Sequence, residues 1–404
     1  MRVLFSFVLT LGALLGQDRS ERWRQDLNAL EQELAARHPN LRSGEPRENL
    51  ARTVEELRGA AESATDQQMA IGIAKLLASL NEAHTNVYLP SAGVPFPRLP
   101  IALRWFSDGL FITSAVEPHT RLIGSRVVRF GDFSAEEAYA AVRPFISSEN
   151  DQWAREISQT YLLLPHVLEA AGVGEGTSSV RLTVADRNGR ETVMDLAPGG
   201  GAYLAGPLRT YRPEPHYLRS SGYYYWFDFL PDSRTLYIKY NQCVEMPSLS
   251  WSAFLNELNE VAVNWPVERL VIDLRDNTGG NSSLLRVLLE QYQQAVRAGV
   301  VSFPKGTFGI ISKRSASSAV LNAIDLKNMG FTIVGESTGG KPSSWGEVQR
   351  FALPHSRLTV TVSTRFIDIP GHEEISFPPD VPVDFPSSLW WAGRDAYLEA
   401  ILAR

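Results

Sequence analysis

The residues best equipped for covalent chemistry lie between Val301 and Ser344. An apolar run, Phe308-Gly309-Ile310-Ile311, leads into Ser315-Ala316-Ser317-Ser318-Ala319, small residues that open a helical pattern through Val320, Leu321, Ile324 and Leu326. A second apolar run, Phe331 to Val334, leads into Gly335-Glu336-Ser337-Thr338-Gly339-Gly340-Lys341-Pro342. Three chemistries compete for this stretch. Gly335 to Lys341 has the phosphate-loop spacing G-x-x-x-x-G-K, which requires a hydroxyl next and then a helix facing the phosphates; Pro342 follows instead, with no helical pattern behind it. Gly335 to Gly339 fits G-x-S-x-G, in which Ser337 would turn a strand into a helix ahead of an acid and a histidine. His355 and His372 do follow, but Gly340 and Pro342 break the helix. The third chemistry takes Ser317 as nucleophile in the first turn of a helix, where unpaired backbone N–H groups can polarise a carbonyl. Lys341 would be its base, if burial keeps the amine neutral. Taken singly, a helix N-cap and an ordinary surface loop lysine explain these two residues better.

An upstream segment has the same design. Val267 to Leu274 is a β-branched apolar run that reads as a buried strand, and it ends in Arg275-Asp276-Asn277-Thr278-Gly279-Gly280. Ser282 then opens an amphipathic helix through Leu284, Leu285, Val287, Leu288 and Leu289. Paired glycines at the end of a strand free backbone amides to face a ligand oxygen. An oxyanion hole shared between Gly279 or Gly280 and the Ser318 amide is the expectation; a plain turn is the alternative.

The ordered set VIDLRDNTGG, SASSA, IVGESTGGK and PPDVPV (Pro378 to Val383) resembles the S41 serine peptidases, which include tail-specific and carboxy-terminal processing proteases, the tricorn core and retinoid-binding modules. The likeness covers roughly the last half of the chain. It implies Ser317 as nucleophile, Lys341 as base and Gly279 or Gly280 as oxyanion glycine. The chain departs from the processing proteases after Ser317, where Ser318, Ala319 and Val320 follow, and at Asn328, where those enzymes carry a supporting aspartate. The tricorn branch uses an upstream histidine and a glutamate shortly before the P-D motif, roles that fall on His84 and on Glu373 or Glu374. The base is therefore open between Lys341 and His84.

The elements that must position these residues follow in order. Val3 to Gly16 is nearly all apolar behind Arg2, the form of an export leader over residues 1–16 and too short to span a bilayer. Residues 17–92 carry helical stripes, with His84 just past their end. Residues 93–200 read as strands with one helical insert and resemble the family's PDZ-like module, which can add a peptide strand to a sheet edge. Gly200 to Pro213 reads as a linker. Residues 201–404 alternate strands and helices, an α/β core that the resemblance makes ClpP/crotonase-like.

Composition narrows the partners. A net charge of −6 over 404 residues, with no basic run, argues against nucleic acid. The single cysteine, Cys243, reads as a buried small hydrophobe, and no Cys/His cluster suggests a structural zinc site. The expected function is an exported serine endopeptidase that cuts extended or unfolded polypeptide, with no cofactor, no metal and no stable membrane insertion of the mature chain. The alternatives are a catalytically silent binding protein for a peptide or apolar ligand, suggested by Ser318 and Asn328, and an ester hydrolase using Ser337.

Overall fold

The computed structural model describes residues 3–89, 93–199 and 214–404; the linker expected over 200–213 lies outside them. The backbone is helical without a break over Val3–Arg37, across the processing point expected after Gly16. Trp23, Leu27, Leu30 and Leu34 repeat at helical spacing and are all buried against the helices Gly44–Ala60 and Asp66–Ala78. The third helix starts at a full capping box, in which Thr65 and Gln68 satisfy each other's backbone N–H. Among the described residues, no helix is long and apolar enough to cross a membrane.

An antiparallel sheet follows, in the order Ile101–Phe106, Gly109–Ala115, Arg126–Phe130, Val180–Ala185, Glu191–Leu196. Where one helical insert was expected, the chain forms Ala135–Val142, Asp151–Tyr161 and Pro165–Ala170. Ser134 and Asn150 cap the first two, accepting from the N–H groups of Glu137 and Trp153. The apolar core of this part is continuous with that of the N-terminal helices, so no separate core marks the expected division near residue 92.

The C-terminal part is built on a sheet in the order Val381–Pro382, Thr332–Gly335, Thr307–Ile311, Arg269–Asp273, Thr235–Tyr240, Tyr225–Leu230; all neighbours are parallel except the last pair. Alternate residues serve opposite faces. Leu236, Ile238, Leu270 and Ile272 pack under the helices Trp251–Asn264, Ser283–Arg297 and Ser318–Asn328, while Tyr237, Val271, Phe308 and Ile310 pack under the C-terminal helices. After Lys341 come two long strands, Ser344–Ala352 and Thr359–Ile367, paired as a hairpin, and Asn86–Val87 adds to its edge. That edge pairing carries the His84 segment from the N-terminal helices to the C-terminal core.

Candidate active site

The parallel strands Arg269–Asp273, Thr307–Ile311 and Thr332–Gly335 are neighbours, and each runs from its carboxyl end into one of the loops singled out above. Ligand sites of open parallel sheets form at that end. Around the loops lies a cleft of about 910 Å³. Ser317, Ser318, Gly280, Gly340, His84 and Glu149 all line it.

Ser317 sits at a forced corner. Its backbone has φ 53° and ψ −129°, immediately before the helix Ser318–Asn328. A residue with a side chain held there costs roughly 1–3 kcal/mol, and such strain concentrates at functional positions. The surroundings hold it. Ser315 is fully buried and donates its hydroxyl to the Leu274 carbonyl, while the Ser312 hydroxyl donates to the Arg275 carbonyl and the Ala316 N–H to that of Asn277. Two glycines pinch the corner. A Cβ on Gly279 would stand 2.6 Å from the Ser317 Cβ, and one on Gly340 would stand 2.8 Å from the Ser317 nitrogen. Gly340 also donates its N–H to the Ser315 carbonyl at 3.0 Å.

The glycine pair divides its roles. The Gly279 N–H is committed to the Asn277 side-chain oxygen at 2.8 Å, whereas Gly280, at φ 131°, is exposed on the cleft. The Ser318 hydroxyl donates to the Gly280 carbonyl at 2.6 Å and so ties this turn to the serine's helix. The departure at Ser318 therefore has a local structural use.

His84 comes from the far side. Its segment is pinned by the Thr361 hydroxyl, which donates to the His84 carbonyl at 2.8 Å, and by the Ser363 N–H, which donates to Thr85 Oγ1 at 3.0 Å. His84 Nδ1 lies 3.9 Å from Glu149 Oε1, and the Glu149 side chain is 7% exposed. Neither that nitrogen nor either Glu149 oxygen has a hydrogen-bond partner among the described residues. Facing polar atoms left unpaired in a buried place call for a functional explanation.

Other candidates lie elsewhere. Lys341 is half-buried in the turn after Gly340, and it is absent from the cleft lining. Glu373 is exposed and Glu374 accepts from His372 Nδ1 at 2.8 Å; neither lines the cleft. Ser337 opens onto a separate cavity with Lys313 and Glu336, and no helix follows it. Cys243 is fully buried beneath the glycine turn, and burial pushes its thiol up to about 11. Sequence reasoning missed Glu149, whose local context of Ser147, Ser148 and Asn150 signals only a helix start.

No protein-family model matches this sequence, and no curated protein matches it at a significant level. Solved structures do match. Mature CPAF complexed with lactacystin aligns with TM-score 0.61 and 14% identity over 95% of this chain and 97% of that one. A serine-to-alanine mutant of CPAF aligns with TM-score 0.63 and 13% identity over 95% and 96%. The architecture is thus a mixed α/β fold that has a solved counterpart. In particular, it is the fold of CPAF, shared over nearly the full length of both chains.

Proposed function

We propose that this chain is a serine-type endopeptidase in which Ser317 is the nucleophile, His84 the general base and Glu149 the group that orients and charges the imidazole. One observation carries the reading: the strained Ser317 corner and the unpaired His84–Glu149 couple open onto the same cleft. A carboxylate facing Nδ1 keeps the ring proton there and leaves Nε2 as the basic atom. Ser317 Oγ then attacks the scissile carbonyl carbon as its proton passes to Nε2. The carbonyl oxygen takes the negative charge, stabilised by the N–H groups of Gly280 and Ser318. Collapse breaks the C–N bond, with His84 returning the proton to the departing amine, and water hydrolyses the acyl-enzyme by the same proton route. Gly279 supports the corner from behind, because its own N–H is already donated to Asn277.

The substrate in this reading is extended or unfolded polypeptide, met outside the cytoplasm after removal of residues 1–16. The apolar Val3 to Gly16 stretch supports export, and a cleft of about 910 Å³ lined from both the hairpin and the nucleophile helix supports an extended chain. Residues 93–199 act as a PDZ-like module built against a ClpP/crotonase-like core. Asn150 donates to the Ile375 carbonyl at 2.8 Å and Lys313 to that of Trp105, which fastens this module to the core, and its Glu149 and Trp153 line the cleft.

Fluorophosphonate labelling of the full chain, with the modified residue located by peptide mass spectrometry, tests the reading. The label is expected on Ser317 and absent from Ser317→Ala. Labelling should slow by roughly 10²–10⁴ in His84→Ala and fall comparably in Glu149→Gln, while Lys341→Ala changes it little. A folded protein that takes no label, or takes it on Ser337, would overturn the assignment. A second reading, an apolar-ligand carrier, has one specific support: a cavity of about 480 Å³ between the helices Trp251–Asn264 and Ser283–Arg297 has no charged residue in its lining.

A further inference from the structure

A deeply buried histidine–carboxylate pair, unused in the chemistry above, involves the segment that carries His84. The side chains of His38 and Glu82 are only 3% and 2% exposed. His38 Nε2 is 3.1 and 3.2 Å from the two Glu82 oxygens. Its other ring nitrogen, Nδ1, accepts the Asn40 N–H at 3.2 Å, where His38 caps the short turn Pro39–Leu41. A ring nitrogen that accepts carries no proton, so the imidazole proton sits on Nε2 and points at Glu82.

Two connections give this pair reach. Glu82 is two residues before His84, in a segment that leaves its helix through Asn81 at φ 54° and has no regular structure until Asn86. A carboxylate buried this deeply needs a donor, so Glu82 keeps its place only while His38 donates to it. The His38 ring also leans on Trp345, with centroids 4.5 Å apart, and Trp345 packs on Phe366 at 5.4 Å. Trp345 belongs to the strand whose Glu347, Val348 and Arg350 line the cleft. One imidazole therefore touches both the root of the His84 segment and the hairpin wall.

We propose that His38 is a positioning residue for His84: through Glu82 it sets the place of the base relative to Glu149 and Ser317, and through Trp345 it couples that place to the hairpin wall. The inference rests on His84 being the general base. Without the His38 donor, Glu82 turns to water, its segment follows, and His84 leaves the couple with Glu149.

The test combines a kinetic cycle with a spectrum. The rate of fluorophosphonate labelling is compared in wild type, His38→Ala, His38→Gln, His84→Ala and the His38→Ala/His84→Ala double variant. His38→Ala should label roughly 10- to 100-fold more slowly, the usual loss when a supporting partner of a functional ligand is removed. His38→Gln, whose amide can donate to Glu82, should recover most of the rate, and His38→Ala should add no loss in the His84→Ala background. NMR of histidine-labelled protein supplies a readout that needs no catalysis. The His84 ring signal, identified by its disappearance in His84→Ala, should shift in His38→Ala and return in His38→Gln. If His38→Ala does not fold, Glu82→Leu, of similar volume but without an acceptor for His38, serves in its place, with the same slower labelling and the same shift of the His84 signal expected. An unshifted His84 signal, or an equal loss of rate with and without His84, overturns the positioning role. Wild-type protein that is never labelled overturns the peptidase reading instead, and the His84 signal then decides the positioning role by itself.

Discussion

Gly279 stands at φ 106°, and an added methyl there would lie 2.6 Å from the Cβ of Ser317. Two costs coincide at this position, a left-handed backbone that side chains resist and a collision with the residue that needs its corner undisturbed. Gly279→Ala is expected to lower stability by about 2 kcal/mol or more and to abolish labelling, checked by urea denaturation beside the fluorophosphonate assay. Gly59 makes the opposite case. It is exposed near the end of the helix Gly44–Ala60, with nothing within 4 Å of an added Cβ, so Gly59→Ala should raise stability by roughly 0.5–1 kcal/mol and leave labelling as it is. The same substitution thus changes sign with the space and dihedral angle of its site. At Glu149, the question is what the side chain faces: its unpaired oxygens acquire a purpose only opposite His84.

Strands and helices bring such residues to a common place. The parallel pairing that sets Val271 beside Phe308 and Ile310 beside Val334 also aligns the strand ends, so the glycine turn, the serine corner and the Gly339-Gly340 turn stack side by side. Asn277 joins them. Its side-chain oxygen accepts the Gly279 N–H, its side-chain amide donates to the Tyr240 carbonyl at 2.9 Å, and its own carbonyl accepts from Ala316. Asn277→Ala leaves buried polar groups unpaired at a cost of about 1–3 kcal/mol. Labelling of the folded fraction should slow as well, since Gly280 loses the turn that aims it. An unchanged labelling rate, with stability alone reduced, would confine Asn277 to a structural role.

A charge network with a buried centre ties the glycine turn to two helices distant in sequence. Arg275 pairs with Asp273 at 2.8 Å and with both oxygens of Asp395 at 2.8 and 2.9 Å, tying the glycine turn to the C-terminal helix Ala396–Leu402. Lys239 holds Asp276 at 2.9 Å, and Arg314 reaches from beside the serine loop to Glu156 of the helix Asp151–Tyr161. Burial pushes the Asp276 carboxyl up, but the Lys239 ammonium and then the Arg314 guanidinium outweigh it and hold the group well below the usual carboxylate range. A carboxyl depressed on folding stabilises the protein above its unfolded value of about 3.9, and that contribution is lost as pH falls through the lower folded value. Stability measured by urea denaturation should therefore fall from about pH 4 downward, and Asp276→Asn should flatten that limb while lowering stability at neutral pH. An acid limb of unchanged slope in Asp276→Asn would exclude this carboxylate as its source.

The α/β alternation, the strand ends, read at Leu274, Ile311 and Val334 and found at Asp273, Ile311 and Gly335, and the small residues around Ser317 were legible in the sequence, because buried parallel strands must be continuously apolar and a corner pinched between backbones admits only small residues. The helices Asp151–Tyr161 and Pro165–Ala170 were not, since the first buries only Ala154, Ser158 and Tyr161 and the second, at six residues, is too short to show a helical period. His84 was visible as a candidate but not as the cleft's histidine; the pairing of Asn86–Val87 with the far hairpin put it there. Local sequence determines period, turns and caps, and so it reveals Ser317 and the glycines that surround it. Only the tertiary structure sets His84 and Glu149 on the cleft and leaves Lys341, Glu373 and Glu374 off its lining, because the company a side chain keeps depends on which distant segments pack together.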